Sequence, residues 1–242
     1  MKEKRVFFNP FRIISPKLNK EASRLEELYE TPSQEMTCLE EGLLVMISKL
    51  LEISKLVYKS LILADPEKME KCEELAREIH AEEKVLTGDL VCSPTTTGEI
   101  LKTLVLFPGH LERAGDFLES VLNCARIKAR DSIPFSDKAH AELTQLFDAL
   151  TEVLTKFRDM VGTRERALLD ELLAQEQKIA QMTLDFALTH EDRLLEGLCS
   201  PKASSLYLDI LDSVRGANAH IMHLTETLIK LADSNEPVAG AA

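Results

Sequence analysis

Tryptophan is missing from this 242-residue chain, and aromatic side chains make up only 5% of it. The 45% apolar content is nonetheless enough for a core. Bases are in deficit, 29 Lys and Arg against 41 Asp and Glu, giving a net charge of −12. Broad nucleic-acid binding needs a basic footprint, so that balance argues against it. No run of 18 apolar residues exists, so no segment of the sequence reads as a bilayer span. The bases near the start are followed by no apolar h-region, so no secretory signal is expected. The five cysteines, Cys38, Cys72, Cys92, Cys124 and Cys199, contain no CxxC or CxxxC spacing, which excludes the usual structural zinc sites. Their odd number and scatter read as free thiols in a reducing compartment, hence a cytoplasmic protein. There is no Ser/His/Asp grouping, no Gly-rich phosphate loop and no nucleophile motif, so the chain is not expected to be an enzyme.

What the chain has instead is helical periodicity. Its length suits one large domain or two smaller ones equally well. Residues 1–32 read as an N-terminal arm followed by a short helix. The arm mixes bases with Phe7, Phe8, Phe11, Ile13 and Ile14, a composition that suits either packing over a bundle or an anionic membrane surface. Beyond it the apolar spacing predicts six helices, at about 33–63, 66–91, 97–129, 136–161, 164–196 and 202–232. Asp65-Pro66 supplies an N-cap with Pro at the first helical position, and Gly197 suits the residue just past a helix end. Pro108-Gly109 predicts a kink in the third helix. No β-alternating run separates the helices. Ser132-Ile133-Pro134 is the best candidate boundary, and residues 234–242 read as a frayed tail.

The two halves look like copies. Cys-Ser-Pro stands at the turn between the second and third helices of each, at Cys92-Ser93-Pro94 and Cys199-Ser200-Pro201. The fold expected is all-α, a tandem repeat of two antiparallel three-helix bundles at 33–131 and 132–233. In the first half, LERAGDFLESVLN at Leu111–Asn123 sets an acidic column, Glu112, Asp116 and Glu119, beside an apolar stripe that includes Phe107, Leu111, Leu118, Val121 and Ala125. Carboxylates at i,i+4 repel by a few tenths of a kcal/mol on an isolated helix, and a bound cation is one way to compensate. A solvated acidic helix face is the other reading.

The tandem three-helix layout, LERAGD at Leu111–Asp116, and His190-Glu191-Asp192-Arg193-Leu194 before Cys199-Ser200-Pro201 resemble the PhoU family of phosphate-signalling proteins. The second half is most similar to the PhoU domains attached to bacterial sodium/phosphate cotransporters, where Leu208-Asp209-Ile210-Leu211 precedes the signature helix. The resemblance spans about residues 33–233. It implies a cytoplasmic regulatory adaptor, often a homodimer, that acts on a membrane phosphate transporter or sensor kinase. It also implies iron or zinc clusters held by Glu/Asp-X-X-X-Asp pairs. Glu112 and Asp116 match the signature pair, and Glu78 and Glu82 fall where the family places a similar pair on the preceding helix. The second half departs from the pattern. Aligned on Leu208–Leu211, it puts Arg215 and Ala219 at the acids; aligned on Cys-Ser-Pro, it puts Ala219 and His223 there. The preceding helix offers Glu176 and Ala180, again a single acid. The second metal site is therefore lost, or rebuilt around His220 and His223, which otherwise read as ordinary helix-surface or interface histidines. The alternative from another class is a carboxylate-bridged di-metal enzyme or metal store, but that expects Glu-X-X-His pairs, and no histidine follows a glutamate at i+3.

Overall fold

The computed structural model describes residues 34–92, 103, 105–163 and 167–233. The expected arm at 1–32, the Ser93-Pro94 turn and the tail at 234–242 lie outside the described residues. Six helices follow one another: α1 Gln34–Leu63, α2 Pro66–Cys92, α3 Leu106–Arg130, α4 Asp137–Thr163, α5 Ala167–Leu195 and α6 Pro201–Asp233. No strand occurs among the described residues.

Local chemistry sets the helix ends. The Asp65 carboxylate accepts the backbone N–H groups of Glu67 and Lys68, at 3.1 and 3.3 Å, and so satisfies two of the donors that open α2. Ser136 and Ser200 cap α4 and α6 in the same way, each hydroxyl accepting an N–H three residues on at 3.2 Å. Gly197, at φ 71°, closes α5: its N–H reaches the Leu194 carbonyl and that of Leu198 reaches Arg193, the two bonds of a Schellman motif. Ser132 does the same for α3 at φ 50°, leaving Ile133 buried just beyond the turn. The kink expected at Pro108-Gly109 cannot be followed backward from α3, because residues 93–102 and 104 lie outside the described residues. α3 is described from Leu106, so Pro108 falls in its first turn, where a missing N–H forfeits no helix bond.

Helices α1 to α3 pack on one another as an up-down-up bundle, and α4 to α6 form a second. The bundles join through their first and third helices, α1 against α4 and α3 against α6, while α2 and α5 lie outside. Each joined pair is antiparallel. Ser54 meets Thr151 and Tyr58 meets Thr144 between α1 and α4, and His110 meets His220 between α3 and α6. Each helix at the junction thus packs against its counterpart in the other repeat, as a two-fold relation between the repeats requires. A single apolar cluster runs from Leu39 to Leu224 through both bundles, so the core does not stop at the boundary between repeats.

Candidate metal centre

The acidic column of α3 stands where the sequence places it, next to the buried Leu111, Ala114 and Leu118. The residue that faces it is His80 of α2. Its Nδ1 lies 2.8 Å from Glu112 Oε1, and its Nε2 lies 3.6 Å from Asp116 Oδ1 and 4.0 Å from Glu119 Oε2. One ligand atom from each of His80, Glu112 and Asp116 falls within 4.8 Å of the others. Two turns back on the same face of α2, Glu73 pairs with Arg126 of α3 and fixes the antiparallel register. Burial raises the Glu119 carboxyl above its usual range; His80 and Arg126 oppose that shift, while Asp116 and Glu73 add to it. The two ring nitrogens face different carboxylates, so a neutral imidazole donates to one carboxylate and offers the lone pair of its other nitrogen to an ion. That arrangement of carboxylate, histidine and open lone pair is how proteins orient a metal-ligating imidazole. One nitrogen and two or three carboxylates fit iron, zinc or manganese better than magnesium or calcium, which favour oxygen alone.

The other expected pair lies elsewhere. Glu78 reaches Lys49 of α1 at 3.1 Å. Glu82, one turn along, shares its face. Both stand two residues from His80, and residues two apart do not face the same neighbour on a helix. The structure thus brings Glu112 and Asp116 together with His80 and leaves Glu78 and Glu82 outside the group. In the sequence His80 is marked only as the neighbour of the core residue Ile79, which puts it beside the seam of α2 without saying whether it faces α1 or α3.

The second repeat holds no matching acid pair among the described residues. Arg215 bonds Asp212 at 2.7 Å on α6 itself. Glu176 of α5 is fully buried, accepts from the Thr225 hydroxyl at 2.9 Å, and leaves its other oxygen without a partner. Burial pushes its carboxyl up to about 8. His190 and Arg193 belong to a buried network at the far end of that bundle. Arg193 donates to both carboxylate oxygens of Glu142, at 2.9 and 2.7 Å; Tyr207 donates to the same group at 2.5 Å, and His190 meets the Ser204 hydroxyl at 2.7 Å. The quoted run His190–Leu194 is therefore part of the packing of the bundle. His220 and His223 are joined by His110 of α3, whose Nδ1 lies 2.8 Å from that of His220.

No protein-family model matches the chain, and no curated protein matches it in sequence. Solved structures do. The phosphate transport system regulatory protein PhoU from Streptococcus pneumoniae superposes with a TM-score of 0.72 at 14% identity, covering 84% of this chain and 96% of that one. PhoU from Pseudomonas aeruginosa gives a TM-score of 0.75 at 15% identity, covering 82% and 97%. Two antiparallel three-helix bundles joined through their first and third helices therefore give this chain a PhoU-like fold.

Proposed function

We propose that this protein regulates phosphate transport by contact with a membrane phosphate transporter or a sensor kinase, as a homodimer at the cytoplasmic face of the membrane. The observation that carries this reading is the PhoU-like fold across both repeats. No described helix is long and apolar enough to cross a membrane, so on this reading the chain meets its transporter through protein contacts. The outer helix α5 supports such contacts. Leu184, Leu188 and Leu195 lie exposed on one side of it, an apolar stripe of the kind found at docking faces.

In this reading His80, Glu112 and Asp116 hold an iron or zinc ion. The ion offsets the repulsion within the acidic column and ties α2 to α3, a regulatory or structural role without catalysis. A carboxylate-bridged di-metal enzyme or metal store fits less well. Such centres draw ligands inward from four helices, whereas these three come from two helices and their side chains are 41%, 23% and 47% exposed.

Capture of the full chain from its host at high and low phosphate tests the proposal. A phosphate transporter subunit or sensor kinase should co-purify, in an amount that changes with phosphate. Unchanged phosphate uptake on deletion, with no such membrane protein retained, would overturn it.

A further inference from the structure

We propose that His110, His220 and His223 form a second, all-nitrogen metal site that bridges the two repeats and takes a borderline transition ion such as zinc, cobalt or nickel. This inference is independent of the role in phosphate regulation.

Three imidazoles meet at the α3/α6 junction. His110 comes from the second turn of α3, and His220 and His223 from one face of α6, three residues apart. The His110 and His220 Nδ1 atoms are 2.8 Å apart, while the His223 ring stacks on His110 with centroids 4.4 Å apart and planes 20° apart. Two ring nitrogens at hydrogen-bond distance must act as one donor and one acceptor, so at least one ring is neutral and aims a lone pair into the contact.

A metal ion in place of the shared proton demands little movement of the first two ligands. Around a tetrahedral ion with metal–nitrogen bonds of ~2.0–2.1 Å, two nitrogens stand ~3.3 Å apart. The 2.8 Å contact therefore has to open by about 0.5 Å. His223 has to rotate about its own side-chain torsions to turn a nitrogen to the same point, and water completes the fourth position. Imidazole donors select zinc, copper, nickel and cobalt, whereas carboxylates suit magnesium, calcium and manganese. The His80–Glu112–Asp116 group and the histidine trio thus lie close together on α3, one with mixed nitrogen and oxygen donors and the other with nitrogen alone. Because His110 belongs to one repeat and His220 and His223 to the other, an ion here clips the bundles together where their third helices cross.

Cobalt(II) added to the chelator-stripped full chain tests the site, with visible d–d absorption as the readout and X-ray absorption on the zinc-loaded protein to count imidazoles. One equivalent should bind with tetrahedral bands and about three imidazoles. Replacing His220 and His223 by Gln should abolish the bands and weaken binding beyond the ~10–100-fold typical of losing an outer-shell partner. His110→Asn alone should do the same, and it keeps the test decisive if the α6 variant misfolds. Glu112→Gln with Asp116→Asn should leave the bands in place. The proposal is overturned if cobalt does not bind, if the bands survive loss of the histidines, or if they vanish with the carboxylates.

Discussion

The ring of Phe117 in α3 lies against the backbone of α6 at Gly216, so close that a Cβ there would stand 2.6 Å from ring carbons Cδ1 and Cζ. The same ring contacts His220 of α6, at 5.7 Å between centroids. Gly216 is what lets the two repeats approach at this crossing.

Gly216→Ala is therefore expected to destabilise the protein. In an unobstructed helix the change would stabilise by roughly 0.5–1 kcal/mol. Overpacking at a tight contact costs about 1–3 kcal/mol and reverses the sign. A lower urea midpoint is the expected result; a higher one would mean that the repeats can separate slightly at no cost.

The Glu142–Arg193 pair is predicted to be worth more when broken than when replaced. Arg193→Met leaves the Glu142 carboxylate buried with the Tyr207 hydroxyl and the distant Lys138 ammonium as partners. The expected loss is about 3–5 kcal/mol, because the desolvated charge is uncompensated. Adding Glu142→Leu should recover much of it. A double-mutant cycle by denaturant unfolding measures the coupling, and strict additivity of the two changes would refute it.

Glu176 should make the stability depend on pH. Its carboxyl is raised from 4.5 to about 8 by burial, so the folded protein keeps a proton that the unfolded chain releases. Stability then falls as pH rises from about 4.5 toward 8, with a slope of at most about 1.4 kcal/mol per pH unit, and levels off above. Glu176→Gln removes that contribution. The stability difference between variant and wild type should grow across this window in favour of the variant; a constant difference would mean that Glu176 is ionised in the fold throughout.

At the first-repeat site, replacing His80 by Gln should lower the affinity for iron or zinc along with the pair Glu112→Gln and Asp116→Asn. Metal that binds only the folded state stabilises it by about 2.7 kcal/mol at a hundred times its dissociation constant. That increment in melting temperature should shrink in each variant. Glu78→Gln should leave it nearly unchanged, since Glu78 points at Lys49. A loss on Glu78→Gln equal to that on His80→Gln would place the ion on the α1 side of α2.

The sequence alone determined the helices, their ends and their pairing into repeats, because those depend on local chemistry and on a period of 3.6. Asp65-Pro66, Gly197 and the Cys199-Ser200-Pro201 turn are readable without coordinates, since a cap needs only residues within a few positions of itself. The acidic column of Glu112, Asp116 and Glu119 is readable for the same reason, all three lying on one helix. Its partner was not. Glu78-X-X-X-Glu82 has the right spacing on the right helix, yet it is turned toward α1, and His80 faces α3 instead. Which side of α2 meets α3 depends on how three helices rotate to bury Leu75, Ile79 and Leu86, a property of the packed bundle and not of any one helix. His110 and His220 stand 110 residues apart, and only the antiparallel crossing of α3 and α6, at the close approach that Gly216 allows, sets their nitrogens 2.8 Å from each other.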